Sequence, residues 1–134
     1  MSNQGTASNK NGTELQDEVV EMLIRGNIKF EKQKRTYPGL NPAGHTHDII
    51  ATINGKDTVV ECKSFSGQAG TIWQKLPYAI MVLESHGVPG LLVLGGEVPT
   101  DWRRGFLIGL GARHNIRVWT VGQLQEYIDA TNRG

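Results

Sequence analysis

The chain has 134 residues, 38% of them hydrophobic and 20% charged, which fits one soluble globular domain with a sizeable core and leaves no room for two. No apolar run approaches the roughly 18 residues that span a membrane. Residues 1–11 are polar and lack the apolar stretch of a secretory leader, so a cytoplasmic location is expected. The single cysteine, Cys62, excludes an internal disulfide framework and a multi-cysteine zinc site. A net charge of +1 lacks the overall basic excess common among nucleic-acid binders, although Lys29, Lys32, Lys34 and Arg35 form one local cluster and Arg103 and Arg104 another.

In chain order, residues 1–12 read as a disordered tail, rich in Ser, Asn, Gly and Thr. Leu15, Val19, Met22 and Leu23 then fall at helical spacing, with Thr13 as N-cap and Gly26 as the stop. Residues 27–34 alternate around Ile28 and Phe30 as a half-exposed strand, and residues 36–46 hold two prolines and two glycines, as a loop would. Two β-rich runs, 48–53 and 56–63, flank Asn54-Gly55, a pair suited to the type I′ hairpin turn because both central residues need positive φ. Residues 64–70 are a small-residue loop. A helix over about 71–85, a strand over 91–94, a helix from Pro99 to about Ala112, a strand over 116–120 and a closing helix over 121–130 complete the chain. This order predicts an α/β fold, a central mixed sheet flanked by helices, as a single domain over 13–134.

The hairpin carries the chemistry. With Asn54 and Gly55 as the turn, Ile53 pairs with Lys56, and counting back sets Asp48 opposite Glu61. Glu61 and Lys63 are two apart and project to one face, while Ile49, Ala51, Val60 and Cys62 form an apolar opposite face. Carboxylates facing each other across a sheet repel unless a cation neutralises them, and Mg²⁺ is bound by such oxygens. A lysine beside them can orient water or stabilise a phosphorane-like anion. From spacing alone, the same residues read equally well as solvated charges on a hairpin.

Asp48 followed thirteen residues on by Glu61-Cys62-Lys63 resembles the signature of the PD-(D/E)XK nuclease superfamily, and the element order is similar to that family's restriction-endonuclease-like α-β-β-β-α-β core. His47 stands where the family name has proline. Gly70-Thr71, Lys75 and Pro77-Tyr78 resemble a segment after the catalytic lysine in some restriction-type members. The resemblance implies Asp48, Glu61 and the Cys62 carbonyl as ligands of Mg²⁺, for which Mn²⁺ would substitute. It implies Lys63 as activator of water and Gln74 or Lys75 as support for the site or contacts to DNA. Many members add an acidic residue from the first helix; Glu14 and Glu18 are candidates, Gln16 could take the place, and Glu14 is preferred.

His45 and His47 suit phosphate contact better than metal ligation, since a Mg²⁺ site wants oxygens; Lys34, Arg35 and Lys75 join them as candidate DNA contacts. Cys62, among apolar strand neighbours, reads as core rather than nucleophile. Gly109-x-Gly111 lacks a third glycine and follows no strand, which excludes a dinucleotide fingerprint. Trp73, Trp102 and Trp119 fit packing. The expected activity is a metal-dependent endodeoxyribonuclease acting on double-stranded DNA, sequence-specific in the restriction or homing manner. The alternatives are a structure-specific nuclease such as a Holliday junction resolvase and a non-catalytic DNA-binding relative. One domain carries one site, so a homodimer or higher homo-oligomer is expected, with the 104–112 helix and the last helix as interface surfaces.

Overall fold

The computed structural model describes residues 4–32, 49–65, 70–98 and 102–133, with side chains at 14–32, 49–65, 75–98 and 104–132. The elements are α1 (Gln4–Arg25), β1 (Phe30–Lys32), β2 (Ile49–Ile53), β3 (Lys56–Phe65), α2 (Gly70–Ser85), β4 (Gly90–Gly96), α3 (Trp102–Arg113), β5 (Ile116–Thr120) and α4 (Val121–Arg133). The sheet runs β1-β2-β3-β4-β5, antiparallel through β3 and parallel from β3 to β5. The fold is therefore α/β, a five-stranded mixed sheet flanked by four helices. Among the described residues no helix is long and apolar enough to cross a membrane.

Asn54 and Gly55 turn at φ 54° and 76°, the two left-handed conformations that a type I′ turn requires. The ladder starts at Ile53↔Lys56 and reaches Ile49↔Val60. In that register Ile49, Ala51, Ile53 and Val60 enter one core with Leu15, Val19 and Leu23 of α1 and Leu124 and Ile128 of α4. Ile50, Val59 and Phe65 face the other way, into a second core with Leu76, Ile80 and Leu83 of α2 and Leu107 of α3. The inner strand β4 is buried on both faces, which explains its unbroken Leu91-Leu92-Val93-Leu94 run.

Two boundaries differ clearly from the sequence expectation. The first helix begins at Gln4 rather than Thr13, so the segment expected as tail is helical from that point. No proline interrupts residues 4–12, and each residue added to a helix already anchored by Leu15 and Val19 gains a hydrogen bond without a new nucleus. The first strand begins at Phe30 rather than at residue 27 because its early residues complete the helix terminus, and its expected end at residue 34 lies outside the described residues. Asn27 is left-handed at φ 59°, its N–H donates to the Ile24 carbonyl, and the Ile28 N–H donates to the Leu23 carbonyl, a Schellman ending. The third helix is described from Trp102, and Pro99 lies outside the described residues. The last helix opens on a capping box: the Gln123 N–H donates to Thr120 Oγ1 at 3.2 Å while the Thr120 N–H donates to Gln123 Oε1 at 2.9 Å.

The helix stops at Gly26 as expected, but the left-handed residue is Asn27, and Gly26 does a further job. A Cβ there would stand 2.3 Å from Ile128 Cγ2, so its missing side chain lets α1 approach α4. Gly26→Ala is expected to cost about 1–3 kcal/mol through overpacking, lowering Tm by roughly 4–12 °C in thermal unfolding. Asn27→Gly, which relieves the left-handed residue without adding atoms, is expected to leave Tm unchanged or raise it.

Candidate functional site

Glu61 and Lys63 lie on the α2 face of β3, and Glu61 Oε2 is 3.5 Å from Lys63 Nζ. Their side chains are 17% and 31% exposed, respectively, so the pair is sheltered but open to solvent. They border a cavity of about 380 Å³ whose other wall is α2, with Lys75, Tyr78, Ala79, Val82 and Leu83. These helix residues recur at i, i+3, i+4, i+7 and i+8, one face of α2. Lys75 and Tyr78 are exposed at the rim, and Leu83 is buried beneath. Among the described lining residues two ammonium groups meet one carboxylate, which suits an anionic ligand.

The backbone of β3 adds a second oxygen. The Val59 N–H donates to the Pro89 carbonyl, and the Phe65 carbonyl accepts from the Glu97 N–H, both on the β4 side. Backbone groups of alternate residues turn to opposite edges, so Cys62 presents its carbonyl toward the β2 side, two residues past the last β2 partner, Val60. Its side chain, half-buried, packs against the α1/α4 core. The Glu61 side chain and the Cys62 carbonyl thus stand at consecutive positions of β3.

Of the other candidates, Asp48 lies outside the described residues, as do Lys34, Arg35, His45 and His47. Gln74 belongs to α2, but its side chain lies outside the description. Lys75 is brought to the site. Glu14 is exposed on α1, and its neighbour Leu15 packs at Gly95, which pairs with Ser64 next to Lys63. Tyr78, quoted above only as part of a resembling segment, proves to line the cavity; its i+3 relation to Lys75 was the available signal. Among the described residues no three His, Cys, Asp or Glu side chains cluster as a metal cage.

No family model matches the chain, and no curated protein matches it. Among solved structures it is similar to "Crystal Structure of Protein of Unknown Function AF1548", with a TM-score of 0.52 and 14% identity over 78% of this chain and 55% of that one. The chain thus spans about half the length of that protein. At this identity the likeness speaks to the fold alone.

A partly exposed ion pair contributes little to stability. Lys63→Met is expected to change unfolding free energy by less than about 1 kcal/mol, with Tm within roughly 4 °C of the parent. Calorimetry would check it, and a larger loss would mark Lys63 as a structural residue.

Proposed function

We propose that the chain is a metal-dependent endodeoxyribonuclease acting on double-stranded DNA, with Glu61, Lys63 and Asp48 at its centre. The observation that carries this reading is the Glu61–Lys63 pair, 3.5 Å apart on one strand face and opening onto a cavity with a second lysine on its rim. Glu61 and Lys63 lie toward the carboxyl end of a strand in the parallel half of the sheet, where open α/β folds commonly bind ligands.

The donor set suits a hard cation. Glu61 offers a carboxylate and Cys62 a carbonyl, and the hairpin register from which the sequence reading set Asp48 against Glu61, Ile53 with Lys56, is the one the strands adopt. Oxygen donors in small number fit Mg²⁺, which keeps several waters, and Mn²⁺ accepts the same ligands. When bound, the cation supplies charge stabilisation at a phosphate oxygen and lowers the pKa of a bound water. Lys63 holds its ammonium where it can orient the attacking water and balance charge developing on phosphorus. Water adds to phosphorus, one ester P–O bond breaks, and the products are a phosphate monoester and a hydroxyl. Lys75 attracts the phosphate backbone, with Lys34, Arg35, His45 and His47 assigned further contacts. Gln74 is assigned a supporting role. Glu14, exposed on α1, is assigned as the additional acidic residue from the first helix. The Gly70-to-Tyr78 segment favours a sequence-specific cutter over a junction resolvase. Cutting both strands of a duplex calls for a second copy of the site.

The deciding experiment offers plasmid, genomic DNA and a four-way junction to the protein with and without Mg²⁺. Cleavage is expected only with the cation and is expected to fall at least about 100-fold in Lys63→Ala and in Glu61→Ala. Lys63→Ala cutting at the parent rate would sink the assignment, and the substrate consumed separates site-specific from structure-specific action. Lys75→Ala is expected to weaken binding evenly across sequences and to reduce the slope of log K against log salt by about 1.

A further inference from the structure

A second cavity lies at the other end of the sheet. Lys56 and Gly90 open β3 and β4, and Asn115 stands just before β5. Between them is a cavity of about 180 Å³, lined also by Asn54, Thr58 and Arg117. Thr58 pairs with Ala51 and Arg117 with Leu91, both members of the α1/α4 core, so the cavity opens on the sheet face away from Glu61 and Lys63. Its lining holds two cationic side chains and no carboxylate. Asp57, next to Lys56 in the chain, turns to the opposite face because strand neighbours alternate.

One of the two cations is held in place. With the Asn54 amide oriented to satisfy both groups, Arg117 Nη1 and Nη2 donate to the Asn54 oxygen at 2.7 and 3.1 Å. The guanidinium lies 5.7 Å from the centre of the Trp119 ring. Asn54 is itself anchored, since its N–H donates to Tyr127 Oη. A guanidinium has five N–H groups, and Asn54 takes two of them. Among the described residues neither Arg117 nor Lys56 pairs with a carboxylate, whereas Lys32, Lys63 and His114 each do. An open groove of about 680 Å³ shares Lys56, Asn115 and Arg117 with the cavity and continues along β5 past Trp119 to Gln123. Its lining also lacks a carboxylate.

We infer that this cavity binds a phosphate group, held by Arg117 and Lys56. A planar guanidinium fixed by Asn54 presents parallel N–H groups that match two phosphate oxygens, and an ammonium serves a third as a point charge. The Asn115 side chain beside them adds an amide donor. Two like charges gathered on one cavity repel, and a bound anion turns that repulsion into attraction. Because Arg117 is already oriented, binding does not have to order it. At about 180 Å³ the cavity is smaller than the roughly 300–1,000 Å³ of sites for whole organic ligands. It therefore takes the phosphate itself, and the adjoining groove receives whatever the phosphate is attached to. Inorganic phosphate and a compact phosphate monoester share this chemistry. The inference stands apart from the nuclease reading, because the cavity lies on the other face of the sheet and its test involves no cleavage.

Residue-resolved NMR titration with inorganic phosphate and with deoxyadenosine monophosphate, each against sodium chloride of equal ionic strength and without Mg²⁺, tests it. Saturable shifts are expected at the amides of Lys56, Asn115 and Arg117. Lys56→Met, which removes a charge that bonds to nothing else described, is expected to keep the fold and weaken binding at least about tenfold. Lys63→Ala, altering the cavity on the other face, is expected to leave these shifts and this affinity as in the parent. Tighter binding of the nucleotide than of inorganic phosphate would identify a monoester lying in the groove, and equal binding would identify the phosphate ion as the ligand. A parent without saturable shifts at these residues overturns the inference. So does a Lys56→Met protein that binds as tightly as the parent, or binding that Lys63→Ala abolishes, since the anion then sits beside Glu61.

Discussion

Two consecutive left-handed residues, Asn54 and Gly55, set the pairing of β2 with β3, and the rest of the molecule depends on that register. A slip of one residue would exchange the faces of a strand, turning Val60 toward α2 and Glu61 and Lys63 into the apolar layer beneath α1 and α4. Burying those charges there would cost far more than any turn preference could return. The tip is also held from a distance. The Asn54 N–H donates to Tyr127 Oη at 2.9 Å, and the Tyr127 and Trp119 rings lie 5.6 Å apart. The last strand and last helix thus brace the turn on which the earlier half of the chain relies.

From that register follows the division of labour between the two faces of the sheet. The α1/α4 side is a continuous apolar layer in which even Cys62 packs as a small hydrophobe. The α2/α3 side is equally apolar around Val59, Leu92 and Leu94, but β3 interrupts it with Glu61 and Lys63 at the margin of α2. Charged groups persist there because α2 does not close over them: its rim residues Lys75 and Tyr78 are exposed, and the cavity admits water. The site is therefore a gap left between a strand and a helix. Its floor of Ala79, Val82 and Leu83 belongs to the same packing that stabilises the fold.

The parallel half of the sheet explains why the edges differ. Strands β3, β4 and β5 are each followed by a helix, and the two later members of this parallel half read as apolar runs, β4 without a charge and β5 with one. The outermost of them inherits that composition while lacking a neighbour on one side. The antiparallel edge belongs instead to a short strand that begins only after the Schellman ending of α1 and carries Glu31 and Lys32 outward.

The order of helices and strands, the hairpin register and the common face of Glu61 and Lys63 were all legible in the residues. Each rests on local physics: a repeat of two or of 3.6 residues, and a turn that needs positive φ. What folding alone decided was every relation between distant segments. Gly26 reads as a helix stop, yet the left-handed position falls to Asn27, because Gly26 is needed bare against Ile128, more than a hundred residues away. Periodicity marks the apolar stripe of α1 but not which side of the sheet that stripe will cover, so Glu14 could not be placed relative to Glu61 beforehand. Likewise, Lys75 and Tyr78 share a helical face in the sequence, and only the packing of α2 against β3 turns that face toward the pair of charges. Local dihedral preferences and side-chain periods are encoded within a few residues. The choice of partner surface depends on how all the apolar faces can be buried at once, and that is settled only in the assembled tertiary structure.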